Sequence, residues 1–246
     1  SKNLLFNDLI NLQILEPLRE KKLKESIKSF NDIKDSISKK VSKQYEEFPY
    51  PRWRYTYSNA TFPFLNFVKK QIRPNQITYK NKFLNPKVLI AGCGTGNHIL
   101  QAANYFNSKI TGIDLSISSL AYAKRKIEEL GIKNIELLHA DIMQLTTLDK
   151  KFDIIESVGV LHHLKNPTKG LNILTNLLEQ DGLLLLGFYS EKARQGIEII
   201  KSYVKKSNFS NTLFDIRRFR EKIFNEKKES TFRNLPNKKD FFSTSS

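Results

Sequence analysis

The sequence predicts an α/β fold: a doubly wound, mostly parallel sheet in the middle of the chain, with helical segments on either side. Three observations carry that reading. Short apolar runs alternate with helical periodicity between residues 86 and 190. A glycine cluster, Gly92-Cys93-Gly94-Thr95-Gly96, follows the first apolar run directly. Acidic residues, Asp114 and Asp141, close or follow the next two runs. Strands that alternate with helices make right-handed βαβ units and a parallel sheet covered on both faces. The visible strands take the order 3-2-1-4-5.

Residues 1–85 form a helical N-terminal cap with an aromatic and proline-rich segment. Leu9, Leu12, Ile27, Phe30, Ile33, Ile37 and Val41 recur at helical spacing, which predicts helix over 3–45 with a break near Pro17. The run YEEFPYPRWRYTYSNATFP (45–63) carries three prolines and seven aromatics and reads as ordered but irregular. A short helix over 64–72 and a connector over 73–86 lead into the core. Within 86–190 the strands are KVLIA (87–91), KITGID (109–114), NIELLHA (134–140), FDIIESV (152–158) and LLLLGFY (183–189), the last entered through an Asp181-Gly182 turn. Helices occupy 97–106, 116–130 closed by Gly131, and 168–178. Beyond 190 a helical C-terminal extension comprises 191–206 and 212–224, with Thr212 as N-cap. Residues 225–246 are polar and basic. No sixth or seventh strand is visible.

The 246 residues carry 41 Lys+Arg against 25 Asp+Glu, a formal charge of +16. The charge is uneven: +9 over 1–85, zero over 86–190 and +7 over 191–246. Only 10 of the 41 cations are Arg, the residue that reads nucleic acid bidentately, which weighs against nucleic-acid binding. A single cysteine, Cys93, excludes a disulfide framework or a multi-thiol metal site and points to a reducing, cytoplasmic compartment. No apolar run approaches the roughly 20 residues of a membrane span, and residues 1–20 lack a signal-peptide layout.

The chemistry concentrates at the glycine loop. Gly92 and Gly94 let the backbone turn sharply and approach a ligand, and Gly96 lets the next helix pack close to the sheet. The loop lacks the Gly-Lys-Ser/Thr ending of a phosphate loop, and its third glycine comes one residue early for a dinucleotide fingerprint. A carboxylate at Asp114 can accept both hydroxyls of a ribose. Asp141 can meet an adenine amino group, with Ile142 over the ring. Both acids also suit helix N-caps, but their convergence on one sheet edge favours a nucleoside site.

The runs AGCGTGNH (91–98), GIDLS (112–116), HADI (139–142) and FDIIESVGVLHHL (152–164) resemble the ordered motifs of class I S-adenosylmethionine-dependent methyltransferases. The resemblance implies a Rossmann-like core and S-adenosylmethionine as cofactor. It implies a cofactor site of Ala91, Gly92, Cys93, Gly94, Gly96, His98, Asp114, Leu115, Asp141, Ile142 and Ser157, with Glu156 near the methyl group. YEEFPYPRW (45–53) and LGFYSEKARQ (186–195) resemble a bacterial subgroup often fused to tetratricopeptide repeats. They are also similar to the rickettsial lysine methyltransferases that act on outer-membrane proteins. DFFSTSS (240–246) resembles the interior of a longer subgroup sequence, so the expectation is a chain lacking the last strands of the class I sheet.

Methyl transfer is an in-line displacement that needs alignment and exclusion of water, with no metal. A lysine acceptor, with a reference pKa of about 10.4, must first lose a proton. Tyr45, Tyr50, Trp53, Tyr189 and Glu156 are candidates to wall such an acceptor, or else simply pack the cap onto the sheet. His162 is the candidate base, since adjacent His163 would face another way on a helix. Cys93 reads as a small packed residue. The expected function is methylation of protein lysine side chains. The alternatives are methylation of a small molecule or RNA, or a catalytically incomplete cofactor-binding module. The helix over 3–45 would pair with a second copy as a homodimer or cover this chain's own sheet.

Overall fold

The computed structural model describes residues 2–56, 61–71, 83–192, 195–207, 209–210 and 212–225. Two compact units divide the chain, Ser1–Gly187 and Phe188–Ser246, so the helical N-terminal segment shares a unit with the sheet. No helix among the described residues is long and apolar enough to cross a membrane.

The first unit begins with α1 (Lys2–Ile10) and α2 (Glu16–Lys24), joined by a π-helical turn over Asn11–Leu15. Pro17 lies in the first turn of α2, where a missing N–H costs little, and the widened turn precedes it. The chain therefore passes Pro17 as helix, and the predicted break falls later. Residues 25–35 leave the helix, and two of them, Lys28–Ser29, form an edge strand β1. Helix α3 (Ser36–Glu47) starts afresh because Asp35 Oδ1 accepts the Ile37 and Ser38 N–H groups at 2.8 and 3.0 Å. Helix α4 (Phe64–Gln71) follows.

The core strands are β2 (Lys87–Ala91), β3 (Lys109–Asp114), β4 (Ile135–His139), β5 (Phe152–Val158) and β6 (Leu178–Gly187). Every pairing is parallel and the order is β1-β4-β3-β2-β5-β6. The five long strands thus follow 3-2-1-4-5 as the sequence predicts, and β1 adds a sixth from the N-terminal flank. β6 differs from its prediction. It starts at Leu178, opposite Phe152, bulges through Asp181 (φ 57) and Gly182, and resumes opposite Ile154 at Leu183. The Asp-Gly turn lies inside the strand and does not precede it, because a bulge and a turn share the same residues.

Helices α5 (Asn97–Ala102), α6 (Ile117–Glu129) and α7 (Pro167–Asn176) connect the strands. α5 ends earlier than its apolar spacing suggests, where Asn104 and Phe106 exchange backbone bonds of 2.9 Å with Phe62. Alternate residues of β2 enter opposite cores. Val88 and Ile90 pack with Ile99, Leu120 and Phe64, and Leu89 and Ala91 pack with Ile113, Ile155 and Leu174. Each such buried Val, Leu, Ile or Phe side chain contributes about 1.5–3 kcal/mol.

The second unit holds α8 (Gln195–Lys206) and α9 (Leu213–Asn225). Thr212 caps α9, its Oγ1 accepting the Asp215 N–H at 3.3 Å, and Ile200 and Phe219 form a small core with Tyr203, Val204 and Phe209.

Candidate functional site

The chain leaves β2 toward β3 on one side while β5 pairs on the other, which places the sheet's switch point between β2 and β5. Ligands of open α/β sheets bind beyond the strand ends at that point. The glycine loop turns there with positive φ at Gly92 (79°), Gly94 (52°) and Gly96 (88°). A side chain at Gly92 would strike Val160 of the loop after β5, its Cβ only 2.3 Å from Cγ2. A Cβ at Gly96 would lie 2.8 Å from that of Ala123, so the third glycine admits α6 and not the following helix.

Asp114 closes this loop from the end of β3. Its Oδ2 accepts the Gly94 N–H at 2.8 Å and its Oδ1 accepts the Ser116 N–H at 2.9 Å. Burial raises its pKa, and the Ser116 and Gly94 bonds oppose that rise. An ionised carboxylate has about four acceptor positions, so each oxygen keeps capacity for a ribose hydroxyl. Leu115 follows, its carbonyl accepting from Ser42 Oγ at 2.9 Å and lying 3.0 Å from His139 Nε2.

Asp141 is 2% exposed. Its Oδ1 accepts the Met143 N–H at 2.9 Å and caps the 3₁₀ turn Ile142–Thr147, while its Oδ2 has no hydrogen-bond partner among the described residues. A buried acceptor left unpaired costs about 1–3 kcal/mol, and an exocyclic amine would satisfy it. Ile142 beside it is buried. These residues fit S-adenosylmethionine: Asp114 would hold the ribose, Asp141 and Ile142 the adenine, and the glycine loop the amino-acid part. The group would supply a methyl on a sulfonium.

The remaining predicted residues take distinct places. Ala91 is buried and its carbonyl accepts from Ser157 Oγ at 3.1 Å, tying the ends of β2 and β5 together. Cys93 belongs to the core beside Gly112, and burial lifts its thiol well above the ordinary value, so it stays protonated. Glu156 is 1% exposed on the face of β5 that carries Ile154. Its Oε1 accepts the Tyr105 hydroxyl at 2.8 Å and its Oε2 lies 2.5 Å from Nε2 of His98, in the first turn of α5. His162 is half-buried and His163 exposed on the 3₁₀ turn after β5; their rings lie 4.2 Å apart, side by side and not on opposite faces. Tyr189 lies in the second unit and is exposed.

The aromatic segment after α3 lies across the glycine loop. Trp53 Nε1 donates to the Thr95 carbonyl at 3.1 Å, Thr95 Oγ1 donates to the Pro51 carbonyl at 2.5 Å, and the Tyr50 carbonyl sits 3.3 Å from where a Gly94 Cβ would be. Tyr45 is half-buried, and its carbonyl accepts from Ser116 Oγ at 3.0 Å. Glu46 accepts from Ser118 through Oγ (2.6 Å) and N–H (3.1 Å), with Lys24 at 3.5 Å. Burial alone would raise the Glu46 carboxyl; the Ser118 bonds and Lys24 outweigh it and hold it below its ordinary range. Trp53 meets Tyr122 edge-on at 5.9 Å, and Tyr122 donates to the Trp53 carbonyl. Tyr105 and Ser118 carry part of this geometry and had no motif to announce them, while Thr95 and Ser116 lay inside quoted motifs with no role assigned.

A methyltransferase-domain model matches residues 84–231. An uncharacterized protein of Synechococcus sp. is 31% identical over 182 residues, 68% of this chain and 41% of that protein. The ubiquinone biosynthesis O-methyltransferase of Glaesserella parasuis is 31% identical over 137 residues, 52% of this chain and 58% of that one. Among solved structures, PKMT2 from Rickettsia typhi aligns over 77% of this chain and 37% of its own, with TM-score 0.51 and 25% identity. The same protein is also known in complex with AdoHcy. The chain thus spans well under half the length of the Synechococcus and Rickettsia proteins it matches. With the glycine loop, Asp114 and Asp141 gathered at one sheet edge, the chain belongs to the class I S-adenosylmethionine-dependent methyltransferase domains.

Proposed function

We propose that this chain is the cofactor-binding and catalytic part of a protein-lysine N-methyltransferase, of the bacterial subgroup bearing YEEFPYPRW and cytoplasmic in location. The observation that carries the reading is the aromatic segment bonded across the glycine loop. It supplies a wall beside the cofactor site that a side chain entering from another protein would meet. The likeness to PKMT2 supports it, since 77% of this chain is more than β2 to β6 contain.

In this reading Gly92, Gly94, Gly96 and His98 border the amino-acid part of the cofactor, with Ala91, Cys93, Leu115 and Ser157 behind them. Tyr45 flanks the acceptor, with Glu156 and His162 beside it. Their shared task is to desolvate an ammonium and exclude water from the reacting centre.

A second reading, methylation of a small molecule, is favoured by the relation to the ubiquinone O-methyltransferase. One experiment separates them. Incubated with labelled S-adenosylmethionine and a bacterial lysate, the protein is expected to label polypeptides, and hydrolysis is expected to release methyl-lysines. Label confined to the small-molecule fraction or to RNA would overturn the lysine reading.

A further inference from the structure

The least exposed acid of the site is also the most completely held. Among the described residues Glu156 meets two partners, Tyr105 at Oε1 and His98 at Oε2. Burial and the neighbouring Glu156 raise the Tyr105 hydroxyl far above its ordinary range, so the phenol keeps its proton and donates it to Oε1. His98 is the outer member, with a quarter of its side chain exposed. An Nε2–H that donates to Glu156 leaves Nδ1 as the ring's acceptor. Nδ1 has no protein partner among the described residues. The ring sits two residues past Gly96, at the switch point between β2 and β5.

We propose that His98 is a catalytic residue whose Nδ1 takes the proton of the acceptor amine, with Glu156 and Tyr105 as the positioning residues that orient it. The inference rests on the amine-methylation reading above and deepens it. The substrate ammonium gives a proton to Nδ1. The freed nitrogen lone pair forms the bond to the methyl carbon as the carbon–sulfur bond breaks, and the electron pair stays on the departing thioether. The imidazolium, stabilised by Glu156, returns its proton to water after release.

The first test needs no acceptor. Calorimetry compares S-adenosylhomocysteine with sinefungin, an analogue bearing an amine where the methylsulfonium stands. His98→Gln and Glu156→Gln are expected to lose at least tenfold more affinity for sinefungin than for S-adenosylhomocysteine. Equal losses for both ligands, or a loss for neither, would overturn the assignment. Should Glu156→Gln fail to fold, Tyr105→Phe carries the same comparison with a smaller loss of the same sign. The second test uses whatever amine the lysate assay identifies: His98→Gly is expected to lose at least a hundredfold in kcat, and added imidazole to restore tenfold or more. Absence of rescue would overturn the role. A positive sinefungin contrast without lysine labelling would instead remove only the choice of acceptor.

Discussion

The sheet and the flank that precedes it are held by different physics. In the sheet, Leu89, Ile90, Ile113 and Ile155 are fully buried, and alternation along each strand sends them to two apolar cores. The flank adds charged contacts to the Ile27, Phe64 and Val68 side chains that it buries in one of those cores. Arg125 of α6 has no exposed side chain and meets Glu16 at 2.9 Å, Glu20 at 3.0 Å and Glu129 at 2.7 Å, while its guanidinium and that of Arg52 lie over the Tyr122 ring at 4.8 and 4.9 Å. Arg19 reaches Glu128, and Lys24 and Glu46 both reach Ser118. The flank is strongly basic overall, yet its acids make the buried contacts with the electrically neutral core. Net charge therefore says little about how the two regions join.

The comparison breaks most sharply at Arg125. Arg125→Ala leaves Glu16 and Glu20 facing a void, and about 3–5 kcal/mol of stability is expected to go. Limited proteolysis should then cut within residues 1–35 while the sheet's circular dichroism persists. Gly92→Ala attacks the other region: a Cβ at positive φ against Val160 is expected to cost about 2–4 kcal/mol, read as a lower urea midpoint for the whole first unit. Trp53→Phe removes one donor from the Thr95 carbonyl, worth about 1 kcal/mol in the same experiment. The smallest effect is a pH dependence. Because the folded Glu46 carboxyl titrates below its ordinary range, its contribution is present above that range and is lost as pH falls through the lowered value. Fluorescence of Trp53, the one tryptophan of the sequence, should report the aromatic segment after α3 loosening on acidification, and Glu46→Gln should flatten that response.

What could be read from sequence follows the same division. The strand over 152–158 and the helix bounded by Ser116 and Gly131 are legible because apolar runs and cap residues mark their ends locally. The break at 25–35 is not, since Ile27, Phe30 and Ile33 keep helical spacing while Ile27 enters the sheet's core. The two-residue β1 has too little pattern to detect. At the site, Asp114 and Asp141 are legible as acids at strand ends, but their bonds are not. The unpaired oxygen of Asp141 exists only because of how the Ile142–Thr147 turn folds. An acid inside the apolar run FDIIESV is visible as an anomaly, whereas its pairing with His98 and Tyr105, some fifty residues earlier in the chain, depends on the tertiary fold.

The most direct test of the account is calorimetric titration of the parent protein and Asp114→Ala with S-adenosylhomocysteine. The site described here predicts saturable binding to one site per chain. It predicts a loss of about a hundredfold or more in the variant, from two charge-assisted hydrogen bonds of about 1.5–3 kcal/mol each. Absence of binding by the parent, or equal affinity in both proteins, would contradict it.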